Sequence, residues 1–154
     1  MVARQKMGDI FLEPRHRMGV PVIDGREEKL ACVYIIGPAN GMVRMGYCMN
    51  IHERFAALQG NCWLPVSIHH LAWVADCRVA QRLQKAAHEA LAYARIRGEW
   101  FMENPDLCWD ALVGAGRLQR IPVMTHAEYL AICRPARRDM RKDRRRKHGQ
   151  RLTC

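Results

Sequence analysis

Residues 30–48, LACVYIIGPANGMVRMGYC, constrain the fold more than any other part of the chain. Residues 30–37 are a run of β-branched and aromatic side chains, 38–41 (PANG) carry turn chemistry, and 42–48 are a second short apolar run. Two such runs joined by so short a connection predict a β-hairpin. Next, NIHERFAALQG offers Asn50 as an N-cap and Gly60 as a stop, with Ile51, Phe55 and Leu58 at helical spacing, so a short helix is expected. The run PVSIHHLAWVA has strand-forming composition. DCRVAQRLQKAAHEALAYARIRG then opens on the N-cap candidate Asp76 and keeps Val79, Leu83, Ala87 and Leu91 near helical spacing, which predicts a long helix ending at Gly98. The expected order is strand, strand, helix, strand, helix.

The flanks are less patterned. NPDLCWDALVGAG reads as a helix entered at Asn104 with Pro105 at its first position, and THAEYLAIC starts with a Thr125 to Glu128 capping box. Pro14, Gly19, Pro21 and Gly25 interrupt the first 29 residues, which read as an extension with one strand at VPVI. The domain organisation expected is therefore an extension at 1–29, a domain at 30–113, a linker with a short helix at 114–133, and a tail at 134–154.

A chain of 154 residues with 49% hydrophobic content suffices for one domain with a core. No apolar run approaches the roughly 18 residues of a membrane span, and MVARQKMGDIFLEPRHR lacks the apolar centre of a signal peptide, so the expectation is a cytoplasmic protein with no membrane partner. Seven cysteines, an odd count without any CxxC pair, argue against a disulfide framework and a zinc ribbon; they read as small packing residues. A scattered metal site from Cys48, His52, Cys62, His69 and His70 is the lesser alternative.

The net charge is +10, and RPARRDMRKDRRRKHGQR near the C-terminus supplies +8 of it with ten Arg or Lys against two Asp. A solvated charge run is the plain reading. A polyanion is the partner that a dense arginine run selects, since each phosphate contact releases counterions, and nucleic acid is favoured because the tail has no apolar face for a membrane. Arg137, Arg138, Arg141, Lys142, Arg144, Arg145, Arg146 and Lys147 are the candidate contacts.

VYII, then VRMG after a turn, then Arg54 ten residues beyond Arg44, then His88 followed by RIRGEWF form a combination that resembles the GIY-YIG nuclease superfamily. Within it the chain is similar to the phage and bacterial branch related to the T5orf172 and Mug113 domains. The resemblance covers roughly residues 30–107. It implies an α+β fold, a small three-stranded antiparallel sheet flanked by helices, and hydrolysis of DNA phosphodiesters with one Mg²⁺ or Mn²⁺. For a phage protein it implies a location in the host cell or the virion.

By the same resemblance Tyr34 orients or deprotonates the attacking water, Arg54 contacts the scissile phosphate, and Arg44 stands where the wider superfamily has tyrosine. Gly46 matches the motif glycine and His88 the histidine of the long helix. Each also has a plain reading: Tyr34 as a core aromatic, Arg54 on a solvated helix face, His88 as a satisfied core histidine. Gly98 is expected to end the helix, with Trp100 and Phe101 closing the core. Four residues before His88 the family pattern has a metal-binding glutamate, and this chain has Gln84, a neutral amide. Glu99 is the other nearby acid that could serve. Two readings follow: a metal-dependent endonuclease, or a nuclease fold without catalysis, needing no metal, that keeps a structural or nucleic-acid-binding role.

Overall fold

The computed structural model describes residues 10–15, 17–39, 41–135 and 144–145. Their elements are β1 (Val20–Ile23), β2 (Arg26–Glu27), β3 (Ala31–Gly37), β4 (Val43–Cys48), α1 (Ile51–Gly60), β5 (Ser67–Val74), α2 (Cys77–Ala90), a 3-10 turn (Ala92–Ala94), β6 (Arg95–Arg97), β7 (Trp100–Phe101), α3 (Pro105–Leu118), β8 (Met124–Thr125), α4 (His126–Ile132) and β9 (Cys133–Arg134). They divide into two units: residues 10–11 with 29–126, and residues 12–28 with those from 127 onward.

The first unit is built on an antiparallel sheet of six strands in the order β6-β7-β4-β3-β5-β8. This corrects the expectation of a small three-stranded sheet: β3, β4 and β5 are its centre, and short strands extend both edges. β7 pairs with β4 at Val43 and Arg44, β6 pairs with β7, and β8 pairs with β5 at Ala72 and Trp73. Strands of two or three residues carry no period-two pattern, so the edges that capture them decide their existence.

All seven residues of β3 are buried, as befits a central strand. Ala31, Val33 and Ile35 join Val43, Met45, Ala72 and Val74 in one core with Leu83 and Ala87 of α2, Cys108 and Leu112 of α3, and Phe101. Burying a Leu or Phe contributes about 1.5–3 kcal/mol each. The alternate residues Cys32, Tyr34 and Ile36 project to the opposite face, where Arg44, Gly46 and Cys48 are their cross-strand partners.

The entries of α1, α2 and α3 agree with the capping signals. Asn50 accepts from Glu53 N at 3.2 Å, Asp76 from Val79 N at 2.9 Å, and Asn104 from Asp106 N at 2.8 Å. The exit of α2 does not: the helix ends at Ala90, so residues 95–101 are a hairpin of β6 and β7 and not a helix terminus. Gly98, with φ +56°, turns that hairpin, and Met102 N bonds to Ala94 O at 2.9 Å across its base. Pairing to the exposed edge of β4 outweighs the helical spacing of the sequence.

The second unit holds a separate antiparallel sheet in the order β2-β1-β9. Asp24 (φ 51°) and Gly25 (φ 77°) form the two-residue turn between β1 and β2, with both central residues left-handed as such a tight hairpin requires. VPVI is a strand, as expected, and it pairs with Cys133 and Arg134. Among the described residues no helix is long and apolar enough to cross a membrane.

Candidate functional site

A cleft of about 600 Å³ opens where the β4 side of the first sheet meets α1. Tyr34 of β3, Arg44, Tyr47 and Cys48 of β4, Asn50 and Met49 before α1, Glu53, Arg54 and Ala57 of α1, Cys77 of α2 and Glu99 of the hairpin line it. Residues 50, 53, 54 and 57 recur at helical spacing, so one face of α1 forms a wall. The strand register supplies the floor.

Gly46 explains how a tyrosine fits there. It lies directly across from Tyr34, and a Cβ at that position would collide with the Tyr34 hydroxyl while standing 3.1 Å from Glu99 Oε2. Only a glycine leaves room for the phenol and the carboxylate to meet over the strand. Backbone fixes the acid as well, since Met45 N donates to Glu99 O at 3.0 Å.

The Glu99 carboxylate is held at both ends. Arg44 Nε donates to its Oε2 at 3.0 Å, and Gln84 Nε2 donates to its Oε1 at 3.1 Å. Its side chain is 35% exposed, so it is still presented to solvent. Gln84, the position where a glutamate was expected, is thus a second partner that orients the acid contributed by the hairpin.

Burial pushes the Tyr34 phenol up to about 12; the Glu99 charge adds to the shift, and Arg44 and Arg54 oppose it. Cys48 is shifted downward, chiefly by its contact with Cys32, whose sulfur is 3.5 Å away, and also by the Arg54 charge. Tyr34, Arg44, Arg54 and Glu99 therefore act on one small volume.

His88 lies outside this cleft. Its Nε2 donates to the Met45 carbonyl at 2.9 Å and its ring lies 4.9 Å from that of Phe101, while burial holds its pKa below the usual histidine value. It lines a neighbouring cleft of about 510 Å³ with Gln81, Gln84, Lys85 and Arg95, and Tyr47 and Glu99 are common to both. Phe101 is in the core, as expected; Trp100 is only half-buried, on the strand beside Arg44.

The scattered Cys and His residues do not gather: among the described residues no group of three His, Cys, Asp or Glu forms a metal site. His70 instead bonds Asp106 at 2.8 Å and stacks on Trp109. Of the basic tail, Arg144 and Arg145 are exposed, and Arg137, Arg138, Arg141, Lys142, Arg146 and Lys147 lie outside the described residues. Sequence reasoning missed Tyr47, Asn50 and Glu53 as cleft residues. Asn50 and Glu53 carried a signal, the N-cap pattern, but it reports a helix start and not what the start faces.

Residues 31–113, more than half of the chain, match the model of the T5orf172 domain family. The chain belongs to this family. The T5orf172 domain of this protein contains the whole of the cleft, from Tyr34 to Glu99, and its membership points to nucleic-acid association. Comparison with curated proteins and comparison with solved structures each gave no match.

Proposed function

We propose that this T5orf172 domain is a GIY-YIG-type endonuclease that binds and hydrolyses a phosphodiester of DNA in the cleft formed by Tyr34, Arg44, Arg54 and Glu99. The observation that carries this reading is their convergence: two guanidinium groups, one phenol and one carboxylate line the same 600 Å³ cleft. Two arginines suit a phosphate, because the guanidinium fork matches its oxygens and keeps its charge at every working pH. Arg54, exposed on α1, is the primary phosphate contact; Arg44, tied to Glu99, is the second.

The raised pKa assigns Tyr34 a definite part. At neutral pH the phenol is protonated, so it donates a hydrogen bond to water or to a phosphate oxygen and does not remove a proton. Glu99 is the group able to accept one.

This reading calls for one Mg²⁺ or Mn²⁺, and Glu99 is the carboxylate positioned to take it. Each Glu99 oxygen accepts one hydrogen bond and keeps a lone pair, and a cation of this kind is commonly held by one or two carboxylates with waters and substrate phosphates. Such an ion, when bound, supplies Lewis-acid polarisation of the phosphoryl group. Glu99, with the Gln84 side chain beside it, would hold it.

The test is nicking of supercoiled plasmid in Mg²⁺ or Mn²⁺ by the wild type, Arg54→Ala and Glu99→Gln. Nicking that both variants lose, by about a hundredfold or more, supports the reading. A second reading, nucleic-acid binding without cleavage, is favoured by the amide at Gln84 and by the engagement of both Glu99 oxygens. Retained DNA binding with no nicking by the wild type would establish it.

A further inference from the structure

The loop that follows α1, residues 61–66, is built with unusual care for a segment that buries so little. Gln59 donates from Nε2 to Cys62 O at 3.4 Å and to Leu64 O at 3.1 Å, and accepts at Oε1 from Val66 N at 2.9 Å. One side chain thus fixes the backbone on both sides of residue 63. Asn61 N and Cys62 N bond back to Ala57 O and Gln59 O, which closes the helix end. In the centre of this braced loop stands Trp63, 91% exposed.

A tryptophan left in water forgoes the burial that makes the residue worth having, and ordering its backbone costs conformational entropy. Packing cannot account for it. The loop holds an aromatic face ready for a planar partner.

We infer that Trp63 is a stacking platform for a nucleic-acid base next to the cleft, an inference that rests on the phosphodiester reading above. α1 carries both features: its first turns present Arg54 to the cleft, and its end carries the braced loop. At 1.5 Å per residue the two lie on the order of 10–15 Å apart along the helix, a span of a few nucleotides. A strand held at Arg54 by its phosphate reaches Trp63 with a base within a few nucleotides. Aromatic stacking tolerates any base, since all present a π face, and so Trp63 selects strands with an unpaired or unstacked base without reading sequence. A protein partner fits less well. The neighbours of Trp63 along the chain are Asn61, Cys62, Leu64, 38% exposed, and Pro65, which add a single large aliphatic side chain to the indole.

The test uses the full chain in EDTA, so that binding is read without cleavage. Affinities for a fluorescent oligothymidine and for a base-free strand of equal length are measured for the wild type, Trp63→Ala, Trp63→Phe and Gln59→Ala. Trp63→Ala is expected to bind oligothymidine roughly five- to a hundredfold more weakly and the base-free strand equally well. Trp63→Phe should recover much of the loss, and Gln59→Ala should weaken the same strand selectively by freeing the loop. Equal binding of oligothymidine by wild type and Trp63→Ala would overturn the platform while leaving the cleft reading intact. Failure of the wild type to bind either strand would overturn both.

Discussion

In the proposed reading Glu99 is the acid on which the chemistry of the cleft turns: Arg44 and Gln84 each donate a hydrogen bond to its carboxylate, and the Tyr34 phenol feels its charge. Gln84 stands 3.1 Å from it, and replacing that amide by a carboxylate makes a pair of like charges at hydrogen-bond distance. Gln84→Glu is expected to lower stability by about 1–3 kcal/mol in EDTA, with Mn²⁺ restoring it by roughly 2–3 kcal/mol at a hundredfold excess over Kd. Thermal melts with and without Mn²⁺ check this; a variant that melts identically in both would argue that no cation can sit there. Tyr34 gives a second handle. Its folded pKa of about 12 exceeds the free value of 10, so the folded state holds the proton more tightly. The stabilisation is complete below pH 10 and is lost as pH rises through 12. Tyr34→Phe should remove that part of the alkaline decline, seen as a smaller fall in Tm between pH 10 and 12. Tyr34, Arg44 and Arg54 were named through the resemblance of the sequence to the GIY-YIG motifs, and the structure brings all three to one cleft. The double engagement of Glu99 was not, since it joins a hairpin to a helix 15 residues away in the chain.

At the scale of elements, local signals served well and edges did not. The hairpin of β3 and β4 and the entries of α1, α2 and α3 follow from turn and capping residues that act within four positions. The Asp24-Gly25 turn had an equally local signal, but its second strand is only Arg26–Glu27, with no apolar alternation to reveal it. β6 was read as the end of the long helix because Ala87, Leu91 and their neighbours keep the helical period, whereas the pairing of β7 with β4 that holds it is a long-range event. The β3 and β4 pair also makes a strong demand at one point: Gly46 must admit the Tyr34 ring. Gly46→Ala is expected to cost about 1–3 kcal/mol by overpacking, and the cost should shrink toward zero in a Tyr34→Ala background. Urea unfolding of the four proteins of this cycle measures the coupling. Additive losses would show that the glycine answers to something other than the phenol.

For the whole molecule the governing quantity is charge, and the structure changes where a truncation should fall. Arg134 pairs with Val20 as part of β9, so a cut at 134 would remove a strand along with the tail. A cut after residue 135 spares that sheet and removes nine Arg or Lys and two Asp, a net charge of +7. If the tail contacts phosphates, each contact contributes about 0.9 to the slope of log K against log salt on duplex DNA, through release of condensed counterions. Deletion of 136–154 is expected to weaken duplex binding at low salt and flatten that slope by several units. The cleft contributes through two arginines, one of them paired to Glu99, so its own share of the slope is no more than about two. The two contributions are therefore separable by magnitude: Arg54→Ala should move the slope by about one, and the deletion by several times as much. An unchanged slope in the deletion would assign the tail to a partner other than duplex DNA, and a slope that collapses with Arg54→Ala alone would place the whole electrostatic footprint in the cleft.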